Sequence, residues 1–233
     1  SPTFQFRKLN SNSEESKISK IINLNGYTYD RISKNNLLST TVSEDRLNIG
    51  SASYQALLIN DLEHSSPNIL KKVLELAEAG ILVMYVGNLP SRSTGLNDFQ
   101  RKDNEIKKYL KKILPLINHM DTPNELIESL DKAGIHPLIG ILNKREDYFR
   151  SSVRSCGVHK VIYMFNDSAS DSKKDFFLNQ IFKNIKLLDP YDASIKEFSY
   201  LENGQNISIN IDPGRSKILL LDHKENLNIE HCW

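Results

Sequence analysis

YQALLINDLEHSSPNILKKVLELAEAGILVMYVGNLP, residues 54–90, decides the reading of the fold. Its first part carries an unbroken apolar run, Ala56 to Ile59, as a strand buried on both faces of a parallel sheet would. Ser66 then stands where a helix N-cap is favoured, with Pro67 at the first helical position. Ile69, Leu70, Val73, Leu74, Leu76 and Ala77 recur at helical spacing, and Gly80 supplies a left-handed stop. ILVMYV, residues 81–86, is a second buried strand. The stretch is therefore a strand–helix–strand unit. Its polar tips are Asn60, Asp61, Glu63 and His64 after the first strand, and Asn88 to Ser93 after the second.

Working outward, residues 13–24 place Ile18, Ile21 and Ile22 on one helical face, with Gly26 just past the end. YTYDRI and, more weakly, TFQFRKL read as strands. Residues 97–118 carry Phe99, Ile106, Leu110, Ile113, Leu114 and Ile117 at helical spacing, with lysines on the other face. TPNE, residues 122–125, has the pattern of a capping box and opens a helix that stops at Gly134. HPLIGIL is a last strand. Strands alternating with helices predict an α/β doubly wound parallel sheet over residues 1–145.

Beyond that point the period changes to two. FRSSVRS, KVIYMFN, DFFLNQIF, SIKEFSY, NISINI and SKILLLD follow one another at intervals typical of a sandwich. Asn203-Gly204 is a type I′ hairpin signal. Residues 146–233 are accordingly expected to form a small antiparallel β-sandwich, with a linker at Asn143–Asp147.

The 233 residues are 39% hydrophobic and 25% charged, with a net charge of +1. That suits one large or two small domains and carries no global basicity pointing to nucleic acid. No apolar run approaches the ~20 residues that span a membrane. The chain starts at Ser1, as a processed or excised piece would. Cys156 and Cys232 are too few and too far apart for a zinc site, and whether they pair is open.

The chemistry-bearing motifs are sparse. No GxGxxG or P-loop follows a strand, and Pro90 removes a donor where an anion nest would need one. No GxSxG occurs, and no Cys precedes residue 156, so no catalytic nucleophile is assigned to Ser91, Ser93 or any other residue. Asp61, Glu63 and His64 gather at the carboxyl end of a strand, where ligands bind in such sheets. Against this stands a plain polar loop leading into a helix. The lysine-rich RKDNEIKKYLKK is interleaved with Asp103 and Glu105, as a solvated helix face would be. NDS at 166–168 and NIS at 206–208 match the glycosylation pattern. The ligand-binding candidates are Asp61, Asn88 and Arg92. No catalytic residue, metal or cofactor is assigned.

The order GYTYDRISKNNLL, VSEDRLNIGSASYQALLIND and ILKKVLELAEAGILVMYVGNLP resembles the region following the catalytic barrel in bacterial glycoside hydrolases of family 106, the α-L-rhamnosidases. HKVIYMFNDS, LLDPYDASIKEF and ISINIDPGRSKILLL resemble the family's continuation, so the likeness runs over roughly residues 24–222. It departs at Leu188, where the family has Trp, in PYDA, which lacks the Gly, and at Asn60-Asp61, which replaces a Pro-containing strand end. The resemblance implies a flavodoxin-like domain, related in shape to class I glutamine amidotransferases, followed by a sandwich. It implies a non-catalytic portion of a carbohydrate-active enzyme, with the catalytic carboxylates in a preceding barrel that nothing here matches. Implied partners are that barrel, an oligosaccharide and a second copy of the chain, and the implied location is periplasmic or secreted. Two alternatives stand beside it: a hydrolase with its own site at the Asp61/Asn88 tips, and a carbohydrate-binding module using Tyr191 and Tyr200.

Overall fold

The computed structural model describes residues 14–95, 97–142, 149–156, 159–170, 172–198 and 206–223. TFQFRKL, the Asn143–Asp147 linker, Asn203-Gly204, Tyr200 and Cys232 lie outside the described residues. The chain divides into two compact units. One is Ser1–Ile18 with Asp30–Ile135, and the other is Ser19–Tyr29 with His136–Trp233.

The elements of the first part are α1 (Glu14–Leu24), α2 (Lys34–Leu38), β1 (Thr41–Ser43), β2 (Arg46–Ile49), β3 (Ala52–Tyr54), β4 (Ala56–Asn60), β5 (His64–Ser65), α3 (Pro67–Glu78), β6 (Leu82–Val86), β7 (Arg92–Ser93), α4 (Phe99–Ile113), β8 (Asn118–Met120) and α5 (Leu126–Lys132). The strand–helix–strand unit is present as β4, α3 and β6, with β4 and β6 parallel and Leu57 beside Val83. Ser66 is the N-cap of α3 and Pro67 its first residue, although the Ser66 side chain makes no capping bond.

The sheet built on this unit is not doubly wound. It has three strands in the order β4-β6-β8, so each new strand joins the same edge and the order never reverses. A flavodoxin-like or amidotransferase-like sheet needs that reversal, because the crevice at its switch point defines the fold. Three local departures explain the difference. YTYDRI is not a strand. Residues 41–54 form an antiparallel three-stranded meander, β1-β2-β3. The expected helix over 97–118 ends early: α4 stops at Ile113, a short 3₁₀ turn containing Pro115 follows, and residues 118–120 run on as strand β8. Pro lacks the N–H that a continuing helix would require a turn later in its interior.

One face of the parallel sheet packs on α3 and α4. Leu57 and Val83 join Ile69, Leu70, Val73, Leu74, Leu76, Ile106 and Ile113 in a common core, with Ile59 packed against it. Met84, Val86 and Met120 are also buried, but Leu58, expected to be core, is only half-buried. Alternation along the strand explains this, because Leu58 points to the opposite face from Leu57.

The second unit contains β9 (Ile139–Ile141), β10 (Phe149–Cys156), β11 (His159–Asn166), β12 (Ser172–Leu178), β13 (Asn184–Leu188), β14 (Ile195–Phe198), β15 (Asn206–Ile211) and β16 (Ser216–Asp222). They form two antiparallel sheets, β10-β11-β16-β13-β14 and β15-β12-β9. HPLIGIL thus supplies β9 to an antiparallel sheet rather than a last strand to the parallel one. Ile162, Met164, Ile185, Leu219 and Leu221 from the first sheet share a core with Ile139, Ile141, Phe176, Leu178, Ile207, Ile209 and Ile211 from the second. Along β15 the exposed and buried residues alternate strictly, as one-sided burial requires. Asn166, inside the first glycosylation pattern, is fully buried. Its amide donates to the carbonyls of Ser170 and Ile211 at 2.8 Å each and accepts from Ser168, so it serves as a structural bracket.

Candidate functional site

A cleft of about 310 Å³ opens at the carboxyl ends of β4, β6 and β8. It is lined by Asn60, Asp61, Val86, Gly87, Asn88, Leu89, His119 and Asp121. Parallel strands end here in register, Asn60 beside Val86 and Val86 beside Met120, so the three loops that follow emerge together.

Asp61 turns the chain out of β4 with φ +42°. Asp tolerates this left-handed conformation better than most residues, because its short side chain bonds locally. Its N–H donates to the Val86 carbonyl at 2.8 Å. Its Oδ1 accepts from the Asn88 backbone N–H at 3.1 Å and from Asn88 Nδ2 at 3.0 Å. Asp61 and Asn88, two of the three candidates, are therefore joined directly. Gly87 between β6 and Asn88 has φ +84°, and a Cβ there would lie 3.1 Å from Asp61 Oδ1. Glycine thus serves both the turn and the close approach of the carboxylate.

His119 enters from β8. Its Nε2 lies 3.0 Å from the Gly87 carbonyl. A carbonyl only accepts, so Nε2 carries the hydrogen and, in the neutral ring, Nδ1 is an acceptor. The ring edge also meets Tyr85, with centroids 6.0 Å apart and planes at 70°. The buried Tyr85 hydroxyl accepts from the Leu62 N–H at 3.2 Å and donates to the Leu62 carbonyl at 3.3 Å. Burial pushes the Tyr85 phenol well above its usual range. The Leu62 N–H offsets this in part, and the Asp61 charge adds to it. The phenol is therefore neutral, and it braces the backbone at Leu62. Asn60 Oδ1 is buried without a hydrogen-bond partner.

Arg92 stands apart. It lies on β7, paired in register with His64 on β5, and it does not line the cleft. The Ser91 N–H donates to the Glu63 carbonyl and the Thr94 N–H to the Ser65 carbonyl, which ties the two loops together. Glu63 and His64, grouped with Asp61 in the sequence, belong to this tie between the loops, and neither lines the cleft. His119 and Asp121 were not identified in the sequence, because residues 119–121 fell between the helix expected over 97–118 and the TPNE start, and lone histidines carry no pattern. The signal available was Pro115, followed by NHMD, which sets Met120 between polar neighbours.

Chemically, the cleft offers carboxylates, amides and one imidazole, with no Lys, Arg, Cys or Ser among its lining residues. Among the described residues, no three His, Cys, Asp or Glu side chains converge to hold a metal ion. In the second unit Tyr191 is exposed, but the Arg215 guanidinium lies 3.4 Å over its ring and occupies one face.

Solved structures similar to this chain are glycoside hydrolases. The rhamnosidase from Novosphingobium sp. PP1Y matches with a TM-score of 0.67 and 15% identity, over 88% of this chain and 21% of that one. The chain thus spans about a fifth of the rhamnosidase's length. A β-galactosidase from Bacillus circulans sp. alkalophilus is more distant, with a TM-score of 0.49 and 10% identity over 92% of this chain and 38% of that one. The GH42 β-galactosidase Gan42B stands at 0.48 and 8%, over 94% and 37%. At such identities the rhamnosidase likeness establishes a shared fold, and the two β-galactosidases carry no argument. No protein-family model and no curated protein matches the chain.

Proposed function

We propose that the chain is a non-catalytic portion of a carbohydrate-active enzyme of the α-L-rhamnosidase type, which buttresses a catalytic barrel or completes its substrate cleft. The observation that supports this reading is the fold likeness to the Novosphingobium rhamnosidase. It extends over nearly all of this chain, through both units, yet takes in only 21% of that enzyme. The motif order over residues 24–222 points the same way. In this reading the partner is a barrel of the same parent protein.

The reading frame upstream of Ser1 provides the first test, and a glycoside-hydrolase barrel encoded there is the expected result. The 233-residue chain by itself should leave aryl α-L-rhamnosides unhydrolysed. Turnover by this chain that disappears in Asp61→Asn would replace the proposal with the alternative, a hydrolase using the Asp61/Asn88 cleft. What favours that alternative is the cleft itself, which Asp61, His119 and Asp121 all line at the strand ends.

A further inference from the structure

We propose that the cleft at the ends of β4, β6 and β8 binds a single sugar unit through its hydroxyl groups. The proposal rests on the carbohydrate-enzyme reading only for the origin of the sugar. Its chemistry follows from the lining.

The free hydrogen-bonding capacity of the cleft can be counted atom by atom. Asp61 spends Oδ1 on Asn88 and keeps Oδ2. His119 spends Nε2 on the Gly87 carbonyl and keeps Nδ1. Asp121 is exposed and brings a whole carboxylate. Asn88 keeps its Oδ1 and its second Nδ2 hydrogen. Asn60, also in the lining, has a buried Oδ1 without a hydrogen-bond partner, so the protein's own hydrogen bonding is incomplete there. Acceptors predominate, so the ligand must bring donors.

This excludes phosphates and carboxylates, which would face two carboxylates with no lysine or arginine in the lining. A metal ion is disfavoured because no three ligating side chains converge among the described residues. An ammonium group would satisfy the acceptors but leave the Asn88 N–H unanswered. A hydroxyl both donates and accepts, which suits a carboxylate placed beside an amide. The volume of about 310 Å³ lies at the lower end for small-ligand pockets and suits one ring rather than an extended chain. The polar groups are also held before any ligand arrives. Asp61 is fixed by Asn88, and His119 by Gly87 on one side and Tyr85 on the other.

The test is a titration of the ¹⁵N-labelled 233-residue chain followed by amide shifts. L-rhamnose, D-galactose, D-glucose, D-mannose and L-arabinose are each added to roughly 100 mM, which reveals binding in the millimolar range. Ethylammonium chloride and calcium chloride serve as the competing chemistries. At least one sugar should shift Asp61, Gly87, Asn88 and His119 saturably, and neither cation should do so. Asp121→Ala, at an exposed position, should weaken that sugar about tenfold, as loss of a hydrogen bond to a charged group does. Its remaining spectrum and its denaturant midpoint should not change. Asp61→Asn should weaken binding as well, while keeping an acceptor for the Asn88 N–H. The proposal is overturned if no sugar shifts these amides, if either cation shifts them at lower concentration than any sugar, or if binding survives both substitutions. Failure here leaves the barrel-support reading standing, and turnover of a rhamnoside by the chain would sink that reading without touching the sugar site.

Discussion

Gly26 shows how much one side chain can decide. It follows α1 with φ +80°, and a Cβ there would sit 1.9 Å from the Ile139 carbonyl oxygen, which is backbone and cannot move aside. Gly50 has a similar φ of +58°, yet nothing lies within 4 Å of its notional Cβ. Gly50→Ala should therefore cost only the backbone term, about 1 kcal/mol. Gly26→Ala should exceed about 3 kcal/mol, because clash is added to strain. Urea melts of the two variants test the contrast, and equal losses would mean that the Ile139 approach is not tight. Asp103 offers a second test at this scale. The Ser93 backbone N–H donates to its Oδ1 at 2.6 Å and holds the carboxyl below its usual range, helped by the charges of Arg92 and Lys107 and opposed by partial burial. A depressed carboxylate stabilises the fold above its unfolded value, about 3.9, and loses that contribution as pH falls through the lower folded value. The stability gap between the parent chain and Asp103→Asn should be present at about pH 7 and shrink on acidification below about pH 4. A gap that widens in acid would reverse the sign of the argument.

At the scale of elements, the β1–β2 hairpin is the instructive case. Ser43 pairs with Arg46, so Glu44 and Asp45 form a two-residue turn, with φ +52° and +55°. A type I′ turn needs both angles positive and is normally announced by Asn-Gly. Glu-Asp carries no such announcement, which is why residues 41–54 showed no hairpin in the sequence. Restoring the preferred pair with Glu44→Asn and Asp45→Gly should raise stability by about 0.5–1 kcal/mol. A lower denaturant midpoint in the double variant would contradict the turn assignment. The β4–α3–β6 unit is the opposite case. Its apolar run, its Ser66-Pro67 start and its Gly80 stop agree with one another, and the elements stand where those signals put them.

Across the whole molecule, each unit has its own hydrophobic cluster among the described residues. Ile106 belongs to the core of the first unit and Phe176 to that of the second, and both are fully buried. Ile106→Ala and Phe176→Ala should each cost about 2–5 kcal/mol. If each cluster folds as its own core, the losses in the double variant should add to within about 0.5 kcal/mol, as independent sites do. Calorimetry of the three variants decides this, and a large non-additive term would mean that the cores are energetically one.

By itself, the sequence determined the strong local elements and the polar tips of β4 and β6, because caps, glycine stops and apolar period act within a few residues. Asp61 and Asn88 were legible as candidates on that basis, since both follow buried parallel strands. Only the tertiary structure decided which strands pair. Three-residue β8 begins where the helix expected over 97–118 was to end and carries no strand period of its own, and HPLIGIL, apolar enough for either sheet, went to the antiparallel one. Pairing depends on residues far apart in the chain, which no local period encodes. The same reason brought His119 and Asp121 to the cleft and kept Arg92 out of it. Strand order set their neighbours, and here the order runs β4-β6-β8 without the reversal that a doubly wound sheet requires.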